Sequence, residues 1–167
     1  MKKEFLFLFM AFVAAVVNLH NVFAEVPPTK IVTGHADFSI KITRCVAEGS
    51  TVLIDMVLLN KSERDIEAHL ETTNCATTTV YDSEGNIYES PDIYNPTIFL
   101  KVANQPFRMG VVHGFLSGVP VTAQLKINGV STVAEYIARI DFPLWIDEFG
   151  LNCSHKAILR NIPITRE

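Results

Sequence analysis

Residues 38–43 read FSIKIT, and residues 51–59 read TVLIDMVLL. In the first segment apolar and polar side chains alternate with a period of two, which is typical of a β-strand with one buried face. In the second segment apolar residues also occupy most of the other face, so we predict a central strand. The residues that define these faces are Phe38, Ile40 and Ile42 in the first segment and Val52, Ile54, Met56 and Leu58 in the second.

The same alternation continues along the chain and predicts an all-β protein. A third strand is expected at residues 66–73, and short turns should join the first three strands into an antiparallel meander. Eight or nine short strands in total indicate an immunoglobulin-like antiparallel sandwich of two sheets. The remaining strands are predicted at residues 80–88, a hairpin around Gly85, and at 97–102, 105–115, 119–127, 137–146 and 156–164.

Two segments depart from simple strand patterning. Ser131 and Thr132 can cap a helix and Glu135 follows at a suitable distance, so one short helical turn is expected near residues 131–136. Pro120 has no backbone N–H to donate, so the strand at residues 119–127 is predicted to start at a sheet edge.

Residues 1–24 have the features of a cleavable signal peptide. Lys2 and Lys3 precede an apolar run, and Val22-Phe23-Ala24 provides small residues at a cleavage site before Glu25. The apolar run is shorter than the roughly 20 residues that a membrane-spanning helix needs, so no membrane span is expected after cleavage. The sequence therefore predicts a periplasmic or secreted protein whose residues 25–167 form a single domain.

The charge balance argues against nucleic acid as a partner. The chain carries 14 Lys and Arg against 18 Asp and Glu, a formal net charge of −4. Nucleic-acid binding depends on basic side chains that neutralise phosphates, and here the basic residues are scattered singly. The acidic balance is more simply explained by its contribution to solubility.

Several strand ends and turns resemble a known group of proteins. The chain resembles small exported bacterial immunoglobulin-like domains of unknown function over most of residues 37–164. That resemblance implies the sandwich fold and a binding or accessory role, and it assigns no functional residue. The features that carry it are the strand ending in Cys45, the apolar strand running into Asn60, YDSEGNIY at 81–88, GVPV at 118–121 and NIPI at 161–164.

Three cysteines in an exported chain allow at most one internal disulfide. We expect Cys75 to take part, with either Cys45 or Cys153 as its partner. Cys153 and His155 are two residues apart, which places them on one face of a strand and suggests a small thiol-dependent hydrolase or redox protein as an alternative. No third group to orient the pair is evident, so a loop cysteine beside a surface histidine is preferred.

Other catalytic and metal sites find little support. Ser117 is not followed by the helix that a nucleophile elbow requires. Met109 and His113 share a strand face, but a methionine more often fills a gap in a core than binds an ion. The sequence therefore predicts no enzyme, no cofactor and no metal site.

Two segments are candidates for contact with a partner protein of the envelope or the extracellular space. The first is the loop that contains Tyr88, Pro91, Tyr94 and Pro96, in which rigid aromatic side chains could bind a partner or simply cover the core. Its portion 95–97 could also act like the loop of a protease inhibitor. The second is Val111–Val121, either a buried edge or an exposed strand available for augmentation. We expect a non-catalytic binding or accessory module of the cell envelope or surface.

Overall fold

The computed structural model describes residues 26–71, 77–90, 96–148 and 151–166, and the predicted signal peptide lies outside them. Twelve strands occur within these ranges. In chain order they are β1 (Lys30–Val32), β2 (Phe38–Glu48), β3 (Thr51–Asn60), β4 (Ile66–Glu71), β5 (Thr79–Asp82), β6 (Ile87–Tyr88), β7 (Ile98–Val102), β8 (Gly110–Phe115), β9 (Pro120–Ile127), β10 (Tyr136–Glu148), β11 (Leu151–Pro163) and β12 (Thr165–Arg166).

The strands form two sheets, which confirms the predicted immunoglobulin-like sandwich. The seven-stranded sheet has the order β1-β11-β10-β4-β8, with β5 paired to β10 and β6 paired to β5. The five-stranded sheet has the order β12-β2-β3-β9-β7. All pairs are antiparallel except β12 with β2. The count exceeds eight or nine because strands of two or three residues, such as β6 and β12, are too short to show alternation.

The core lies between the sheets and is built from the apolar faces that the alternation defines. Every second residue of β3 is buried, and β3 lies between β2 and β9 as a central strand, as predicted. Phe38 and Phe115, both fully buried, pack edge to face with ring centroids 5.2 Å apart. This contact joins the start of β2 in one sheet to the end of β8 in the other, and the favourable ring geometry adds to the burial of apolar area.

The predicted meander of the first three strands is wrong, because β4 belongs to the other sheet. The buried Asn60 at the end of β3 explains the crossing. Its side-chain amide donates to the carbonyls of Arg64 (2.6 Å) and Phe115 (3.1 Å), and its carbonyl accepts from the backbone of Ser62 at 3.0 Å. These bonds hold a corner that carries the chain across the sandwich, after which Ile66, Ala68 and Leu70 face the core.

Two smaller predictions concern residues 131–136 and Pro120. The predicted helical turn is wrong: residues 131–135 form a turn without helix, in which Arg166 donates to the carbonyls of Ser131 and Ala134 at 2.8 Å each, and Tyr136 begins β10. Strand β9 lies between β3 and β7, but β7 ends opposite Ala123, so among the described residues Pro120 at the start of β9 pairs with β3 alone and lies at an open edge, as predicted. The described ranges contain no helix with the length and apolar character of a membrane span.

Candidate functional site

Strand β8 lies at the end of the seven-stranded sheet and has one free edge. It reads GVVHGF and pairs antiparallel with β4, from Ile66 opposite Phe115 to Glu71 opposite Gly110. Within the described ranges no strand hydrogen-bonds to its other side, although β7 of the other sheet lies close to β8. Because the N–H and C=O groups of successive residues in an edge strand point in opposite directions, about half of the backbone polar groups of β8 face outward.

The other sheet edges in the described part of the chain are short, covered or protected. Strands β1, β6 and β12 have two or three residues each. Among the described residues they leave residues 38–45 of β2 and residues 151–157 of β11 unpaired on the outer side. These stretches carry Lys41 and Lys156, and β2 also has a bulge between Ile42 and Arg44, which are features that protect an edge. The outer side of β7 is occupied by Arg108, which exchanges two backbone hydrogen bonds with Leu100 at 2.7 and 2.8 Å. By contrast, β8 has six residues and no proline or lysine, the residues with which proteins usually protect an edge. It is therefore the edge best suited to pair with another strand.

The two faces of β8 differ in size and burial. On the inner face Val111 and Phe115 are buried, and the ring of His113 contacts that of Phe115 with centroids 4.9 Å apart. The outer face consists of Gly110, Val112 and Gly114 in alternate positions. Val112 is 49% exposed, and a Cβ atom added to Gly114 would meet no atom within 4 Å. The outer face of β8 therefore carries few side-chain atoms and is accessible.

Acidic and aromatic residues lie beyond these small residues on the same face. Strand β4 places Glu67 opposite Gly114, His69 opposite Val112 and Glu71 opposite Gly110. The Oε1 atom of Glu67 lies 3.3 Å from Nε2 of His69. On the next strand Trp145 stands opposite His69, so Val112, His69 and Trp145 form one row across three strands.

An open groove of about 580 Å³ adjoins the Gly110 end of β8. It combines aromatic and polar groups from both sheets, because the chain passes from β7 to β8 beside it. Phe107 is 37% exposed there. Its lining includes Pro96, Phe99, Phe107 and Arg108 together with His69, Glu71, Gly110 and Val112.

The predicted aromatic loop is placed only in part. Tyr88 packs against the core, and its hydroxyl donates to Oδ2 of Asp82 at 2.7 Å and accepts from the backbone N–H of Ser131 at 3.0 Å. Pro91 and Tyr94 lie outside the described residues. Pro96 lines the groove. The structure thus brings one of the four predicted contact residues to the β8 edge, and contact through the others stays a prediction.

The hydroxyl of Tyr88 belongs to a polar cluster around the buried carboxylate of Asp82. This carboxylate accepts from the backbone N–H groups of Glu84 and Asn86 and from the side chain of Asn86, each at 2.9 Å. Burial alone would raise the pKa of Asp82, but the hydrogen bonds from Asn86, Tyr88 and the backbone outweigh it and lower the pKa below its ordinary value. The cluster therefore stabilises the hairpin.

The thiols are placed as follows. Cys45 has a buried, free thiol, and burial raises its pKa to about 12 although the charge of Arg166 opposes this shift. Such a thiol is a poor nucleophile at neutral pH. We predicted that Cys75 pairs with Cys45 or Cys153. Cys45 is free, and Cys75 and the side chain of Cys153 lie outside the described residues, so pairing with Cys153 stays a prediction.

The pairing register puts Cys153 and His155 on the same face of β11, opposite Ile146 and Leu144. The ring of His155 contacts that of His35, with centroids 5.0 Å apart, and its buried Nε2 atom has no hydrogen-bond partner in the described part of the protein. Because the side chain of Cys153 lies outside the described residues, the thiol hydrolase alternative stays a prediction. Among the described residues no three His, Cys, Asp or Glu side chains cluster in a way that could hold a metal ion.

The sequence indicated Val111–Val121 either as a buried edge or as an exposed strand, and it did not predict the groove. The groove depends on the pairing of Leu100 with Arg108, which no local pattern reveals. A usable signal was present in Gly110, Val112 and Gly114, since glycines at alternate positions leave one face of a strand without side chains.

The comparisons with known proteins bear on the fold alone. No family model and no curated protein matches the chain. Among solved structures, it is similar to the ASH / PapD-like domain 7 of human CEP192, with 10% identity over 84% of this chain and 89% of that chain and a TM-score of 0.42. It is also similar to a family 123 glycoside hydrolase from Clostridium perfringens, with 10% identity and a TM-score of 0.38, over 83% of this chain and only 27% of that chain.

Proposed function

We propose that this protein is an exported, non-catalytic binding module of the cell envelope or surface, and that it binds a partner protein by adding a partner strand to β8. The free edge of β8 is the observation that carries the proposal. A partner strand would satisfy the outward backbone groups, as in the known binding modes that add a strand to a sheet edge.

The surroundings of β8 support binding over catalysis. The edge offers unpaired backbone groups for hydrogen bonds to a partner strand. The open groove and the outer face of β8, which carries few side-chain atoms, can discriminate between the side chains of that strand. The buried carboxylate of Asp82 and the buried thiol of Cys45 are both withdrawn from solvent. The signal peptide expected at residues 1–24 agrees with a role outside the cytoplasm, and the resemblance to small exported bacterial immunoglobulin-like domains agrees with an accessory role.

Proline substitutions at two neighbouring residues test the edge. In an antiparallel edge strand, one of any two successive N–H groups bonds to the neighbouring strand and the other points outward. Val112→Pro and His113→Pro therefore differ: one removes a bond to β4 and lowers stability, and the other removes an outward N–H and leaves the fold intact. Thermal unfolding shows which of the two variants keeps the stability of the wild type.

The binding assay compares the wild type with the stable proline variant. Each purified protein is immobilised and exposed to an envelope extract from its source cells. We expect a discrete set of proteins to bind the wild type and to be lost from the stable variant. The proposal fails if the stable variant captures the same proteins, or if the wild type captures none.

A further inference from the structure

We infer that the strand accepted by β8 carries a basic, an apolar and an aromatic side chain at three alternate positions, in that order from its N-terminus. This inference rests on the proposed function and adds the class of partner sequence. It follows from the three outer-face positions of β8, which differ in what surrounds them.

An added strand would lie about 4.8 Å from β8, with every second side chain on the outer face. Three of its residues would stand beside Gly114, Val112 and Gly110. We assign the antiparallel direction because β8, β4 and β10 already pair antiparallel and because antiparallel pairing is the more stable per residue. The residue beside Gly114 is then nearest the partner's N-terminus.

The position beside Gly114 favours a basic side chain. Glu67 stands directly across Gly114, about 10 Å from the added strand at two strand spacings. Its side chain is 55% exposed and contacts His69. Because a Cβ atom on Gly114 would meet nothing within 4 Å, the long stem of a lysine or arginine can lie over this glycine and bring its charge to the carboxylate.

The position beside Val112 favours an apolar side chain. Val112 continues the row formed by His69 and Trp145, and almost half of its surface is exposed. An apolar partner residue would cover this surface and extend the row to a fourth strand, which is the usual cross-strand contribution to sheet stability.

The position beside Gly110 favours an aromatic side chain. It faces the groove, where Phe99 and Phe107 offer apolar area. Glu71 stands opposite Gly110, but Arg108 lines the same groove, so the two opposite charges offset each other and a basic side chain gains less here than beside Gly114. A guanidinium is also attracted to an aromatic face. This difference sets the order of the three side chains.

Three labelled seven-residue peptides test the inference with the full-length protein. The test peptide is Thr-Lys-Thr-Val-Thr-Phe-Thr, in which lysine, valine and phenylalanine share one face. A second peptide has glutamate in place of lysine. A third, Thr-Lys-Val-Thr-Phe-Thr-Thr, has the same composition but places lysine on the face opposite the valine and phenylalanine. Binding is followed by fluorescence anisotropy up to a peptide concentration of about 1 mM, which detects weak association.

We expect the test peptide to bind about tenfold more tightly than each control, a difference in the range of two or three favourable surface contacts. Glu67→Gln should abolish the preference for lysine over glutamate and leave the effect of scrambling in place. Gly114→Val, which fills the space over the strand without a clash, should weaken binding of the test peptide. Raising the salt concentration should reduce the lysine preference.

The outcomes separate this inference from the proposed function. If the stable proline variant loses all peptide binding but the wild type binds the three peptides equally, the edge binds strands and the inferred side-chain pattern is wrong. If the peptides bind the stable proline variant as well as the wild type, both proposals fail. If the wild type binds none of the peptides, the inferred pattern is overturned, and the extract experiment decides the proposed function.

Discussion

The hairpin around Asp82 and the free edge of β8 are opposite solutions to the same requirement that polar groups find partners. At the hairpin, one buried carboxylate accepts four hydrogen bonds and links residues 82–88 to the turn at Ser131 through Tyr88. At β8, the backbone groups of one whole side face outward, and small residues keep the face open. The hairpin is closed to further contacts, whereas β8 can still form them.

This difference separates structural residues from candidates for function. Tyr88 is aromatic and lies next to a loop, features that also suggest a binding residue, but its hydroxyl already has two partners. The residue type of Val112 does not suggest a binding residue, yet Val112 lies on the open edge of β8. Satisfied polar groups indicate a role in stability, and unsatisfied groups on an accessible edge indicate a role in binding.

The largest effect is expected at the corner that ends near β8. Replacing Asn60 by alanine removes the amide that bonds to Phe115 and Arg64, so the buried carbonyl of Phe115 loses this donor, whereas the carbonyl of Arg64 keeps the hydroxyl of Ser62 at 2.8 Å. We expect Asn60→Ala to lower the free energy of unfolding by about 3 kcal/mol. Urea denaturation measures this change, and exposed Asn104→Ala is the matched control with an expected change below about 0.5 kcal/mol. A loss similar to that of the control would mean that the corner is held by other contacts.

The next effect concerns the carboxylate of Asp82 and depends on pH. Since its pKa in the folded protein lies below the ordinary value of 3.8, the charged form favours folding. This stabilisation is present above the ordinary pKa and is lost as the pH falls through the lower pKa of the folded state. Asp82→Asn should cost about 2 kcal/mol at neutral pH.

Denaturation of the wild type and Asp82→Asn between neutral and strongly acidic pH measures this dependence. The difference in stability between the two proteins should shrink as the pH falls below 3.8. A difference that is constant with pH would show that the charge of Asp82 does not hold the hairpin.

A smaller effect is expected from the hydroxyl of Tyr88. Tyr88→Phe keeps the ring against the core and removes the bonds to Asp82 and Ser131, so a loss of about 1 kcal/mol is expected. Thermal unfolding measures it. If Tyr88→Phe left stability unchanged but abolished partner binding, Tyr88 would belong to a binding surface and the contrast with β8 would break down.

The smallest effect on stability is expected on β8 itself. Gly114→Val places a side chain in open space, and valine suits a strand better than glycine, so the change should stay within about 0.5 kcal/mol and can be favourable. Denaturation in urea provides the measurement. A loss above about 1 kcal/mol would show that something already covers this face.

The sequence predicted the strands and their buried faces but not all neighbours. Alternation in β3 identified the residues that are buried, because side-chain direction follows from local backbone geometry. It could not assign β4 to a sheet, since Ile66, Ala68 and Leu70 present the same pattern whichever sheet they join. That choice depends on the hydrogen bonds of Asn60 to Phe115, which is 55 residues away in the chain.

The candidate site shows the same limit. The apolar character of Val111–Val121 indicated an edge, and among the described residues both β8 and the first residues of β9 have one unpaired side. Pro120 correctly indicated a missing donor at the start of β9, although the rest of that strand lies between β3 and β7. The groove arises from the bond between Leu100 and Arg108, a tertiary contact without a local sequence signal.

The chain order of the strands has a consequence for how fast the protein folds. The middle of the seven-stranded sheet is formed by β10 and β11, which span residues 136–163, and the first strand pairs with β11. A chain that emerges from its N-terminus can form the β2–β3 hairpin early, but this sheet must wait for the last fifth of the protein. Such distant pairings slow folding and leave the chain unfolded for longer, as the proposed export would require.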